Sequence, residues 1–257
     1  MFIFLLDEVK KSPLAFMTIG IAFLSFFFVA FPQIDLIVSG WFYDGQPDFW
    51  ARQNNFLRRV RYLGITASRL IIILLVLFMF LRLIFNTFKK ILPIQKVMFL
   101  LVSCAIGPGL IVNVLLKSNW GRARPIQTDI FGGVWPYSDV WVIVDHCETN
   151  CSFVSGEGAV SIWMLGVAFL VPLIWRKAAL VFLLAFAVLM SGNRIAFGGH
   201  YLSDILLSWA IVGWTMLLCR HWMRSNKIAW TKHDYLENCF DNAGNRLCSI
   251  FGKTIRR

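Results

Sequence analysis

Apolar runs of bilayer length leave this chain few ways to fold. They stand near 13–31, 63–87, 97–116, 155–175, 178–192 and 203–222. Most match the roughly 20 residues a helix needs to cross a hydrocarbon core. With 58% hydrophobic and 15% charged residues and a mean hydropathy of +0.67, the chain lies outside the range of soluble domains. The expected fold is an all-α integral membrane protein: six transmembrane helices over residues 1–225, then a cytoplasmic tail over 226–257. The fifth run is short, and it shares its end with a polar cluster. Lys10 and Lys11 before the first run would also suit a signal peptide. That run is long, however, and no small-x-small cleavage pattern follows Phe31-Pro32, so a retained span is expected.

Lys and Arg orient the bundle. Lys10, Lys11, Arg82, Lys89, Lys90, Lys96, Arg176, Lys177 and the basic residues from Arg220 onward fall on one side if both termini are cytoplasmic, in agreement with the positive-inside rule. The net charge of +11 is then a matter of membrane topology and anionic head groups, and nucleic acid is not an expected partner. No protein partner is implied.

Three polar clusters interrupt the apolar pattern, and this topology puts all of them on the outer face. Lys117 is followed seven and eight residues later by Arg124 and Pro125; Ser155, Gly156 and Glu157 open the fourth run; Arg194, His200 and Asp204 bracket the start of the last. Arginine offers a planar fork to phosphate oxygens, and lysine a compact charge. Snorkelling at the interface would explain Lys117 or Arg122 taken singly, but not Arg124 and Arg194 together with the other clusters. A helix opening at Ser155-Gly156 presents N–H groups and a positive dipole end to an anion, although Ser155 would also serve as an N-cap. His200 and Asp204, four apart, share a helix face. Asp204 could orient the imidazole and leave its other nitrogen to attack phosphorus. Cys147 and Cys151 share the outer loop and could close a small disulfide; with His146 they offer too few ligands for a metal, and none is expected.

Lys117 to Arg124-Pro125 reads K-x6-R-P, and Arg194, His200 and Asp204 read R-x5-H-x3-D. These motifs resemble the type-2 phosphatidic acid phosphatase superfamily over about residues 97–222. The resemblance implies a cofactor-free, metal-independent phosphotransfer through a phosphohistidine on His200, with Lys117, Arg124 and Arg194 binding phosphate. The middle motif departs from the family: Val154-Ser155-Gly156-Glu157 stands where Pro-Ser-Gly-His is usual, so the customary general acid is missing. Glu157 could replace it if burial at the bilayer edge beside an incoming phosphate raised its pKa above the free value of about 4.3. His146 is the second candidate, and His221 and His233 are expected on the opposite side. Ser-Gly-Glu after an outer-loop Cys-x3-Cys is similar to the lipid A phosphatase branch, particularly the 4′-phosphatases. That implies removal of a phosphate from the lipid A disaccharide at the periplasmic face of a Gram-negative inner membrane. Undecaprenyl diphosphate, phosphatidylglycerol phosphate and phosphatidic acid are rival substrates, and an inactive phospholipid-binding homologue is the bland alternative. A transporter would need ionisable groups at mid-bilayer, and the runs are almost free of them.

Arg52, Arg58, Arg59 and Arg61 stand among Trp50, Phe56 and Tyr62 in the expected loop between the first two spans. They would gather an anionic lipid, as Arg122 would; ordinary head-group anchoring explains them equally well.

Overall fold

The computed structural model describes residues 12–45, 48–85, 88, 91–225 and 233–251. Lys10, Lys11, Lys89, Lys90 and most of the basic tail, on which the orientation partly rests, lie outside these residues, as do the side chains of His233 and Cys248.

The described residues form an all-helical membrane protein without strands. In chain order the helices are α1 (Pro13–Ala30), α2 (Gln33–Gly40), α3 (Trp50–Gln53), α4 (Asn55–Ile84), α5 (Ile94–Leu116), α6 (Gly156–Phe169), α7 (Leu173–Ala196), α8 (Leu202–Arg224) and α9 (His233–Phe251). Five of them, α1, α4, α5, α7 and α8, are long and apolar enough to cross a membrane.

Their roles differ by burial. The most apolar stretch of α8 is 56% buried, against 6% for that of α1, so α8 is the central post and α1 lies against it with its outer face turned to lipid. Phe23 and Phe26 of α1, like Leu173 and Phe182 of α7, are exposed apolar side chains, which in a bilayer costs nothing. The interior is built around Phe28, Val97, Leu100, Trp163, Leu207 and Val212. There the Trp163 indole N–H donates to the Leu100 carbonyl at 3.0 Å and to Ser103 Oγ at 3.2 Å.

Three expected boundaries move. The second run begins at Asn55, whose predecessor Asn54 caps the helix by accepting from Phe56 and Leu57 N–H. At 30 residues α4 is about 45 Å long, and Arg58, Arg59 and Arg61, expected in a loop, stand on its first turns. The fourth run does not continue to 175. It closes in a 3₁₀ segment at Phe169, and Pro172, with no N–H to donate, opens α7 instead. The fifth run is therefore a full 24-residue helix. Helix α6 still joins the two ends of the bundle: Ser155 N–H before it donates to the Asp204 carbonyl, and the Phe169 carbonyl at its end accepts from Lys96.

The described part of the expected tail, α9, is docked on α4 and α5. Buried Arg82 of α4 reaches Glu237 and Asp241 at 2.8 and 2.9 Å, and Ile94 N–H donates to Glu237 at 3.2 Å.

Candidate active site

The second half of α5, Ala105–Leu116, widens into a π-helix, and Lys117 N–H donates to the Val112 carbonyl five residues back. This wound end delivers Lys117 beside α6. A Cβ on Gly156 would stand 3.4 Å from Lys117 Nζ and 2.8 Å from Asn113 Oδ1, so the helix opening, the lysine and the Asn113 amide lie close together. Burial, with Arg124 and Arg194 nearby, lowers the Lys117 pKa to about 8.

The chain then reverses at Gly121, which has φ +64° and whose Cβ would overlap the Val144 carbonyl. Beyond it Arg124 is held from both ends. Its N–H donates to Gln127 Oε1 at 2.9 Å and its guanidinium to the Asn150 carbonyl at 2.7 Å. Burial and then Arg61 lower its pKa.

Arg194 occupies the last turn of α7, almost wholly buried. A Cβ on Gly199 would lie 2.2 Å from its Nη2; a glycine before His200 is what lets the guanidinium lie flat on the backbone. Arg52, Arg61, Arg124 and Arg194 line one cavity of about 460 Å³ with Gln127 and Asn150. The volume suits a small polar ligand, and four guanidiniums suit a multiply charged anion.

His200 is buried between α7 and α8. Its Nδ1 lies 2.8 Å from the Ser152 carbonyl and 3.7 Å from Asp204 Oδ2. The first is a hydrogen bond; the second is ionic proximity only. The expected orienting bond to Asp204 is thus replaced by one to backbone. A carbonyl can only accept, so Nδ1 carries the hydrogen and Nε2 keeps its lone pair. Burial pushes the imidazole pKa down to about 4, so the ring is neutral at physiological pH.

Asp204 binds elsewhere. Its Oδ1 accepts from Arg122 at 2.7 Å, and its Oδ2 from Ser152 Oγ and, at 3.0 Å, from Tyr201 N–H. Arg122, expected at the lipid surface, is completely buried. It also donates to Asp35 Oδ2 at 2.9 Å, Ser203 Oγ at 3.0 Å and the Ser138 carbonyl at 2.9 Å, and it stacks over Tyr201 at 4.3 Å. Burial alone would lower its pKa, but the two carboxylates outweigh that and raise it. Asp35 in turn takes Ser203 N–H at 2.9 Å. Removing so charged a group from water is tolerable only because every donor is met.

Ser155 caps α6, accepting Gly158 N–H at 3.1 Å. The first N–H groups of the helix, at Gly156 and Glu157, have no intrahelical acceptor. On balance the surroundings of Glu157 do not raise its pKa. Desolvation does push its pKa up, but Arg194 and Arg61 prevail and hold it below the ordinary glutamate value. The contacts are 3.2 Å from Arg61 Nη2 and 3.3 Å from Arg194 Nε, the latter without hydrogen-bond alignment.

His146 does not join this group: its ring stacks on Trp135 at 5.2 Å, and its Nδ1 is buried without a hydrogen-bond partner. His221 lies on the last turn of α8, at the opposite end. Of the interfacial arginines, Arg61 and Arg52 reach the cavity, whereas Arg58 and Arg59 are exposed outside it, Arg58 donating to the Arg52 carbonyl at 2.9 Å. Cys147 and Cys151 are disulfide-bonded, and the segment after them supplies Ser152. Among the described residues no cluster of three His, Cys, Asp or Glu side chains is arranged to hold a metal.

Sequence reasoning missed Ser152, Asp35 and the true place of Arg122. Asp35 carried a faint signal, as a lone acid just past the first span; Ser152 carried none beyond following Cys151.

The PAP2 superfamily model matches residues 96–228. A protein from Rhizobium leguminosarum named lipid A 4′-phosphatase is 46% identical over 45% of this chain and 49% of its own length. A namesake from Rhizobium etli is 46% identical over 40% of each chain. One from Francisella tularensis subspecies novicida is 33% identical over 70% of this chain and 82% of its own. The chain thus spans about half or less of the two Rhizobium proteins and most of the Francisella one. No solved structure matches it.

Proposed function

This chain belongs to the PAP2 superfamily, and from that premise we propose that it is a membrane phosphatase removing a phosphate monoester from a lipid, most simply the 4′-phosphate of lipid A. The reading places the site at the periplasmic face of a bacterial inner membrane, with α6 as a sixth crossing. Its 3₁₀ half rises about 2.0 Å per residue instead of 1.5, which lengthens a helix that joins both ends of the bundle. The similarity to proteins named lipid A 4′-phosphatase supports the substrate.

One observation carries the chemistry: a neutral, buried imidazole whose Nδ1–H is held by the Ser152 carbonyl, beside the cations of Lys117 and Arg194. Phosphate enters the cage of Lys117, Arg124 and Arg194, and the first N–H groups of α6 complete it. Those fixed donors meet the charge that develops on the equatorial oxygens. Nε2 of His200 attacks phosphorus, the bond to the sugar oxygen breaks, and Asp204, 3.7 Å from Nδ1, offsets the positive charge on the ring.

Glu157 supplies the proton by exchange. It occupies the guanidinium of Arg194 that phosphate also needs. When the dianion takes that cation, the carboxylate faces negative charge, its pKa rises, it takes up a proton from solvent, and it passes that proton to the leaving oxygen as the P–O bond breaks. In the second step Glu157 accepts a proton from water, the hydroxyl attacks phosphorus, and the N–P bond breaks to release inorganic phosphate.

The test is direct. Purified protein is incubated in EDTA with lipid A bisphosphate, undecaprenyl diphosphate and phosphatidylglycerol phosphate, and products are identified by mass spectrometry. Loss of the 4′-phosphate at the highest kcat/KM supports the proposal. Preference for either other lipid overturns the substrate, and no release from any of them overturns the enzyme.

A further inference from the structure

At the end of the bundle away from His200, a second cavity of about 380 Å³ opens where α5 and α7 begin and α8 ends. Four cations line it: Lys96 from α5, Arg176 from α7, and Arg220 and Arg224 from the end of α8. Lys96 Nζ is tied to the Phe169 carbonyl at 3.0 Å. Arg176 lies over the Phe169 ring at 5.5 Å, and its Nε is buried without a hydrogen-bond partner. Among the described residues, no carboxylate comes within ion-pairing distance of any of the four.

The neighbouring Arg82 shows that the fold can do otherwise. It meets two carboxylates from α9 at the same end of the bundle. Four like charges gathered around a cleft repel one another, and a buried, unpaired guanidinium nitrogen is costly. An anion in the cleft relieves both. Beneath the cations the wall is apolar, with Phe99 and Phe169 prominent, which suits a group that continues into acyl chains.

We propose that this cavity binds the head group of an anionic diacyl phospholipid, its phosphate held by Arg176, Arg220 and Arg224 and its chains descending past Phe99. Basic pockets between spanning helices recognise such head groups in the same way. The occupant is a resident lipid at the far end of the bundle from the catalytic imidazole, and the inference does not depend on which reaction that imidazole performs.

Native mass spectrometry of the full-length protein, titrated with phosphatidylglycerol, provides the test. One saturable lipid is expected, with affinity falling about tenfold or more in Arg220→Gln/Arg224→Gln and retained in Arg220→Lys/Arg224→Lys, which keeps the charges. Arg124→Gln should leave that binding unchanged, and phosphatidylcholine should not compete. Equal binding by the double glutamine variant, equal binding of phosphatidylcholine, or loss in Arg124→Gln instead would each overturn the site. Displacement by millimolar inorganic phosphate would make it a free-anion site and overturn the lipid.

Discussion

Arg122 and Asp204 form a 2.7 Å ion pair in which neither side chain is exposed. Through Asp35 and Ser203 that pair ties α2 to the start of α8, and through Ser152 it reaches the His200 ring. The arginine two positions before the phosphate-motif arginine is therefore part of the frame that sets the imidazole.

Arg122→Gln should destabilise the protein by about 3–5 kcal/mol, because Asp35 and Asp204 are left buried without their counter-charge. Arg122→Lys should rescue only partly, since one ammonium cannot replace the fork. Adding Asp35→Asn to Arg122→Gln should cost much less than the sum of the single changes. Melting in detergent, read with turnover on the same samples, measures all three.

His200→Ala should insert and fold normally yet lose phosphate release by at least about a thousandfold. Quenching wild type with alkaline detergent in the presence of labelled substrate should trap a phosphoryl group that is acid-labile and base-stable. A variant with near-normal turnover removes His200 as the nucleophile.

The pH profile follows from two groups. His200, with its pKa pushed to about 4, must be unprotonated, so kcat/KM should rise through that region and then level. Lys117, lowered to about 8, must be charged, so affinity for phosphate should fall above that value, and Lys117→Arg should remove the alkaline limb. Stability has its own sign. The folded state holds the His200 proton less readily than the unfolded chain, so the unfolded form binds more protons between about pH 6.5 and about 4, and stability falls as pH drops through that window.

Glu157→Gln should keep the shape of the cavity, release Arg61 and Arg194 from their carboxylate, and so tighten inorganic phosphate while slowing turnover by about 10²–10⁴-fold. A leaving group that needs no proton, such as a nitrophenol, should recover most of the loss. If turnover of both substrates falls equally, Glu157 is not the acid.

Cys147→Ser or Cys151→Ser, or reduction with dithiothreitol, should loosen the segment carrying Ser152 and lower kcat with little change in KM. Parallel melting curves separate this from global unfolding, and undiminished kcat in a folded variant removes the positioning role.

The polar clusters could be read from sequence because each sits at the end of an apolar run, and a fixed spacing at a helix end is a local property. Arg122 could not. Its partner Asp35 lies 87 residues away, and nothing near 122 says whether a guanidinium there meets lipid head groups or two carboxylates. The charges that hold Glu157 were missed for a related reason: burial was foreseen, but Arg61, 96 residues earlier on a helix taken for a loop, was not placed beside it.

Sequence alone determined that this is a membrane protein of apolar helices with polar clusters gathered at their ends, since the free energy of transfer into lipid adds up residue by residue along a run. Tertiary structure decided which arginine is buried in the frame and which ones line the cavity, which imidazole nitrogen keeps its lone pair, and which cations hold Glu157. Those outcomes are set by charges a few ångströms apart in a medium of low dielectric constant, and such distances exist only once remote segments have packed.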